Sequence, residues 1–185
     1  MNPNTSERLV IIDLEATCWE PGRHKPSEME TIEIGAVLVD HATGNKLDEF
    51  NTFIRPVRYP ILSDFCKKLT SISQGQIDSA PRFPEAFQRF LDWIYDRGNV
   101  ILASWGAYDD KQLKQDCSFH GIDYPFHGRH LNLKKEFGKL HNGRKFGMKR
   151  ALQLSGLTLE GQHHRGIDDA RNIYRLYLWL RQHSQ

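Results

Sequence analysis

The chain has 185 residues, of which 39% are hydrophobic and 26% charged, with a formal net charge of +2. That is the profile of one soluble globular domain over residues 1–185 with enough chain for a sizeable core. No run approaches the ~18 apolar residues of a membrane-crossing helix, so no membrane association is expected, and the opening MNPNTSERLV lacks a charged-then-apolar signal pattern. Cys18, Cys66 and Cys117 are scattered and form no C-x-x-C pair, which argues against a disulfide framework or structural zinc and for a reducing cytoplasm.

In chain order, LVIIDLEAT reads as a buried strand and ETIEIGAVLVD as a second, carried by Ile32, Ile34, Val37 and Val39. HATGNK is a turn, and KLDEFNTFIRP is a third strand closed by Pro56. The three predict an antiparallel meander. DHATGNKLDE is superficially similar to a calcium loop, but its acid spacing fails that pattern, and a hairpin turn is expected. SDFCKKLT predicts a short helix with Ser63 as N-cap. FPEAFQRFLDWIYDRG predicts an amphipathic helix, with Phe83, Phe87, Phe90, Leu91 and Ile94 at helical spacing and Gly98 at its end. VILASW is a fourth, central strand, followed by a helix over DKQLKQDCSFHG. HLNLKKEFGKL suits a strand or a helix, MKRALQLSG is a helix ending at Gly156, and DDARNIYRLYLWLRQ is a long terminal helix with Ile173, Tyr174, Tyr177 and Leu178 on one stripe. There is no internal repeat or low-complexity tract. The order predicts an α/β fold, a mixed central sheet of antiparallel meander plus parallel strands flanked by helices.

Charge is unevenly spread. Arg129–Arg150 holds eight Lys/Arg against one acid, Glu136, a net of +7 that leaves the rest of the chain at −5. Such a segment can track a phosphate backbone, and it equally suits a solvated loop and helix face.

The acids also gather. Alternate residues of a strand share a face, so Asp13 and Glu15 project together from the end of LVIIDLEAT. Two carboxylates side by side repel unless a cation lies between them, and oxygen-only ligands select hard ions such as Mg²⁺ or Mn²⁺. Asp109 and Asp110 follow VILASW at a helix start, where acids also favour the helix dipole. HHRGIDDARNI sets two histidines before Asp168 and Asp169 on a loop entering the last helix.

As an ordered set, D-x-E-x-T after an apolar strand, an Asp after a second apolar strand and H-x-x-x-x-D before a C-terminal helix resemble the DEDDh 3′→5′ exonucleases, DnaQ-like enzymes of the ribonuclease H-like fold. The resemblance runs from Leu9 to Leu178. IDLEATCW, SDFCKKLTSISQGQID, FPEAF and HHRGIDDARNI are similar to the branch that trims histone mRNA 3′ ends and small interfering RNA, in the bare nuclease-domain form of its bacterial relatives.

This resemblance implies metal ligands at Asp13, Glu15 and Asp169, and at Asp109 rather than Asp110 through G-x-[WY]-D. It implies His164 as general base and two Mg²⁺ or Mn²⁺ ions. Backbone around Ala16 and Thr17 would meet the 3′-terminal sugar, and Phe65 and Tyr108 would stack on terminal bases, although Phe65 equally suits a core position. The implied substrate is a single-stranded 3′ end, RNA before DNA, its phosphates held by the basic segment that includes Lys145 and Lys149.

The doubled HHRGIDD admits His163 with Asp168 or His164 with Asp169. The second register is preferred, because HRGIDD followed by Ala170 resembles the family run and Asp169 shares a helix side with Ile173. It predicts an exposed His163 and leaves Asp168 as a helix N-terminal acid. The implied chemistry is in-line phosphodiester hydrolysis by two ions ~3.5–4 Å apart, with a neutral imidazole of pKa about 6.5 taking a proton, releasing 5′-mononucleotides. The competing class is a ribonuclease H-like regulatory or adaptor protein acting through protein–protein binding; retention of all four acids and the histidine argues against its non-catalytic form.

Overall fold

The computed structural model describes residues 7–95, 100–128 and 130–184. The first six residues, the expected helix end at Gly98 and the first basic residue of the charged segment, Arg129, lie outside the described residues.

Five strands form one sheet in the order β3-β2-β1-β4-β5: β1 (Arg8–Ala16), β2 (Thr31–Asp40), β3 (Lys46–Phe53), β4 (Val100–Ser104) and β5 (Leu131–Asn132). β1, β2 and β3 are antiparallel neighbours, the expected meander, while β4 runs parallel to β1, and β5 parallel to β4. Helices α1 (Asp64–Thr70), α2 (Gln74–Asp78), α3 (Phe83–Tyr95), α4 (Tyr108–His120), α5 (Leu133–Lys139), α6 (Met148–Leu154) and α7 (Gly166–His183) surround it. No helix among the described residues is long and apolar enough to cross a membrane.

Alternation along β1 builds two cores. Leu9 and Ile11, with Val37 and Val39, pack against Phe137, Leu152, Ile173 and Leu176 of α5, α6 and α7. Val10, Ile12 and Leu14 pack on the opposite face against Phe87, Phe90 and Leu113 of α3 and α4. Asp13 and Glu15 continue the Leu9–Ile11 parity, so they emerge on the α7 face where the apolar packing stops. The carboxyl ends of β1 and β4 open side by side there, the position at which open α/β sheets usually bind ligands.

HLNLKKEFGKL resolves into both of its readings. Leu131–Asn132 pairs with Ala103–Ser104, then Asn132 caps α5 by accepting from the Lys135 N–H at 2.9 Å. The β2–β3 turn closes as expected, with Asp40 accepting from the Gly44 and Thr43 backbone N–H groups. Ser63 caps α1 at the Cys66 N–H. The short α2 was not anticipated, although Ser73 and Gln76 form a capping box around its first turn.

One close approach sets the height of α7 over the sheet. A Cβ on Gly35 would lie 2.0 Å from the Gly166 carbonyl carbon, and one on Gly166 would lie 3.0 Å from the Asp13 carbonyl oxygen. Only glycine lets the first turn of α7 sit on β2. Gly35→Ala must displace backbone, so denaturant unfolding should show a loss of about 1–3 kcal/mol, the usual range for overpacking.

Candidate active site

The cleft at the carboxyl ends of β1 and β4 has a volume of about 300 Å³, and Asp13, Glu15, Asp109, Asp169, His163 and His164 all line it. β1 supplies Asp13 and Glu15 by strand alternation. α4 supplies Asp109 from its first turn, where the Leu14 N–H donates to Asp109 Oδ1 at 3.1 Å and locks the helix start to β1. α7 supplies Asp169, lowered onto the cleft by the Gly35–Gly166 contact.

Asp13, Glu15 and Asp169 each offer an oxygen, all within 4.8 Å of one another. Glu15, Asp109 and Asp169 are only 8%, 5% and 3% exposed. Among the described residues, no Lys or Arg pairs with any of the four acids. The protonated forms are favoured accordingly. Burial, then the neighbouring Asp109, Asp169, Glu15 and Glu33, hold the Asp13 carboxyl well above the usual range. Burial and Asp169 push Glu15 up to about 8. Burial lifts Asp109 to about 6 against the opposing hydrogen bonds from Leu14 and Ser104, and burial also raises Asp169. A buried cluster of oxygen donors with no described Lys or Arg among its partners fits a hard divalent cation such as Mg²⁺ or Mn²⁺ by chemistry and by charge.

The adjacent Asp110 has a different surrounding. It accepts from the Tyr124 hydroxyl and from Lys114, each at 2.7 Å, and does not line the cleft. Asp168 likewise accepts from the Gln162 N–H at 2.9 Å and pairs with Arg171 at 3.1 Å, away from the cleft. Asp109 and Asp169 are therefore the members of each Asp-Asp pair brought to Asp13 and Glu15.

Both histidines enter the cleft, which differs from the expectation of an exposed His163. His163 Nδ1 lies 2.9 Å from Asp169 Oδ2, and the His163 and His164 rings stack at 4.0 Å. His164 adopts φ +64°, held by its N–H donating to Asp169 Oδ2 at 2.9 Å. That unusual backbone turns consecutive rings to one side of the loop, which simple alternation does not foresee. Among the described residues the His164 ring has no hydrogen-bond partner, and burial followed by His163 lowers its pKa, which favours the neutral ring.

The expected substrate contacts divide. Ala16 and Tyr108 line the cleft. Thr17 does not: its hydroxyl accepts from the Glu30 N–H at 3.0 Å, which turns it inward. Phe65 is 37% exposed rather than core, and lines a neighbouring cleft instead. Lys145 and Lys149 are exposed on either side of Met148, which does line the active cleft, and Trp105 Nε1 donates to the Phe146 carbonyl at 3.1 Å to hold that segment beside it.

Sequence reasoning missed several members. Cys18, Met29, Leu69, Trp105 and Met148 supply apolar walls. Glu33, opposite Glu15 across the β1–β2 ladder and fully buried, accepts from Arg165 Nε at 3.2 Å and the Gly166 N–H at 3.0 Å, clamping the α7 start. An acid between two isoleucines in TIEIG was the available signal.

The exonuclease family model (RNase_T) matches residues 10–177. The chain is 32% identical over 182 residues to the Bacillus subtilis protein named probable 3′-5′ exonuclease KapD, covering 98% of this chain and 88% of that protein. It is 32% identical over 193 residues to Xenopus laevis ERI1 exoribonuclease 2, covering 92% of this chain but only 28% of that longer protein. The solved nuclease domain of 3′hExo, described as a DEDDh family member bound to rAMP, superposes with a TM-score of 0.88 at 31% identity, over 95% of this chain and 92% of that one. The ordered carboxylates, the sheet that carries them and these matches agree: the chain belongs to the RNase_T exonucleases, in the DEDDh group of 3′→5′ enzymes with a ribonuclease H-like fold.

Proposed function

We propose that the chain is a 3′→5′ exoribonuclease, one nuclease domain throughout, that trims single-stranded RNA ends to 5′-mononucleotides with two Mg²⁺ or Mn²⁺ ions. The observation that carries this reading is the convergence of carboxylates, Asp13, Glu15 and Asp169 within 4.8 Å of one another with Asp109 in the same cleft. RNA is preferred because the Xenopus laevis relative is named an exoribonuclease and the similar nuclease domain was solved with rAMP. The free thiols Cys18, Cys66 and Cys117 support a cytoplasmic setting.

In this reading Asp13, Glu15, Asp109 and Asp169 hold the ions. Divalent cations bound there would supply electrostatic stabilisation to the attacking and leaving oxygens of the in-line displacement. His164 takes the proton of the attacking water in its neutral form. His163 orients Asp169 through its Nδ1 contact. Tyr108, Leu69 and the Ala16 backbone enclose the terminal nucleoside. Release of labelled 5′-mononucleotides from matched single-stranded RNA and DNA tests the reading: RNA should be degraded faster, and equal or DNA-favoured rates would reject the RNA assignment.

Lys145 and Lys149 bind strand phosphates in this reading, outside the reacting centre. Lys145→Gln with Lys149→Gln should raise KM for oligonucleotides with kcat little changed. It should also flatten the salt dependence by about 0.7 per lost contact on a log–log plot, because fewer counterions are released from a single strand. Unchanged KM and slope would return these lysines to ordinary surface.

A further inference from the structure

Two of the three thiols meet at the wall of the active cleft. Cys18, on the chain leaving β1, lines that cleft and is half-buried, and Cys66 on α1 is fully buried. A single hydroxyl bridges their backbones: Ser63 Oγ donates to the Cys18 carbonyl at 2.6 Å and accepts from the Cys66 N–H at 3.0 Å. The side chains meet as well. The Cys18 thiol and the Cys18 N–H both donate to Cys66 Sγ. The Cys66 thiol donates to the Ala16 carbonyl at 3.7 Å. Cys18 packs on the small apolar cluster that holds Cys66 with Ile32, Leu62, Ile72 and Ile77. Cys117 sits apart, in the core between the sheet and α3 and α4. Hydrolysis uses neither Cys18 nor Cys66.

We propose that Cys18 and Cys66 are a redox pair: a hydroperoxide that enters the cleft converts them to a disulfide, which slows cleavage until small thiols reverse it. Cys18 sulfur attacks the peroxide O–O bond, giving a Cys18 sulfenic acid and one water. Cys66 sulfur then attacks the Cys18 sulfur. The S–S bond forms, and the hydroxyl leaves with the Cys66 proton as a second water. The two sulfurs supply both electrons that reduce the peroxide. Two small thiols reverse the bond by exchange and are themselves oxidised to a disulfide. The hydrogen bond from Cys18 holds the Cys66 thiol below its usual pKa, which suits it to the second attack; the same bond holds Cys18 above its own, which makes the first attack the slow one. A pair that stays reduced in a reducing compartment and closes transiently under oxidant is the form that intracellular disulfides usually take.

The bond would reshape the cleft. An S–S bond is about 2.0 Å long, so its formation draws the sulfurs together from hydrogen-bonded contact. It also removes the proton that Cys66 gives to the Ala16 carbonyl. Ala16 and Leu69, close in sequence to the two cysteines, both line the cleft. Bond formation is independent of the exonuclease reading, and its effect on turnover rests on that reading.

The test treats the full chain with hydrogen peroxide in chelator, removes the peroxide with catalase and exchanges the chain into Mn²⁺. Free thiols, linked peptides and kcat/KM on single-stranded RNA are then measured before and after dithiothreitol, in the wild type, Cys66→Ser, Cys66→Ala and Cys117→Ser. The wild type should fall from three free thiols to one, with Cys18 linked to Cys66. Its kcat/KM should fall about 10²-fold, as for groups displaced by about 1 Å. Dithiothreitol should restore both. Cys117→Ser should form the same link, and the Cys66 variants should show no loss that dithiothreitol reverses. Absence of the Cys18–Cys66 peptide in the oxidised wild type, which needs no variant to fold, would overturn the proposal, as would a complete link with unchanged kcat/KM; either leaves the exonuclease reading intact. A reduced wild type that cleaves no RNA would overturn that reading and the slowing of cleavage together, with the peptide map still deciding the bond.

Discussion

Asp13→Ala and Glu15→Ala should each abolish metal-dependent cleavage and leave the fold intact. Removing either carboxylate takes a ligand from the one place where three acids converge within 4.8 Å. Losing several kcal/mol of transition-state stabilisation corresponds to a fall of roughly 10³-fold or more in kcat. Without metal the same variants should melt higher than the wild type, because each relieves repulsion among acids that lack a cation. Added Mg²⁺ should raise the wild-type Tm and leave the variants nearly unmoved.

Glu15 also gives this a pH signature. Its carboxyl rises from 4.5 to about 8 in the fold. Between those values the folded chain keeps a proton that the unfolded chain has released. Its contribution to stability is therefore fully present below 4.5 and is lost as pH rises to about 8. The Tm advantage of Glu15→Gln over metal-free wild type should grow across that window. A constant gap, or near-wild-type turnover of either alanine variant at saturating metal, would contradict the assignment.

His164→Ala and Asp169→Ala form the second large effect. Losing a general base costs about 10²–10⁴-fold in kcat, and losing Asp169 removes both a ligand and the acceptor that holds the His164 backbone. Asp168→Ala should cost far less, since its partners Gln162 and Arg171 lie outside the cleft. His163→Ala should fall between: Asp169 loses the Nδ1 contact but keeps the His164 N–H. Turnover of all four variants decides the register. A severe loss for His163→Ala and Asp168→Ala, with the other pair spared, would show the frame displaced by one residue.

Periodicity made most of the architecture legible. Alternation along β1 foretold both the buried strand and the shared face of Asp13 and Glu15, and the Phe83–Ile94 spacing foretold α3. What escaped depends on tertiary contact or on single dihedral angles. HLNLKKEFGKL was ambiguous because a two-residue strand leaves no period to read; its pairing with β4 decides it. His163 seemed an exposed neighbour because the positive φ of His164, which brings both rings round, has no sequence signature in a non-glycine residue. Thr17 is expected to meet the substrate through its backbone, yet its N–H donates to the Glu30 carbonyl at 2.9 Å, thirteen positions away. The apolar walls from Met29, Leu69 and Met148 come from three separate elements and connections that only the fold brings together.

The most direct test of a carboxylate cleft that removes nucleotides from a 3′ end is the cleavage pattern of a 5′-labelled single-stranded RNA, with a 3′-hydroxyl or a 3′-phosphate, in Mg²⁺, Mn²⁺ or excess chelator. A ladder shortening one nucleotide at a time from the free 3′-hydroxyl, strongly slowed by the 3′-phosphate and abolished by the chelator, is the predicted result. Internal fragments of equal abundance from both substrates, or a ladder that persists in the chelator, would contradict it.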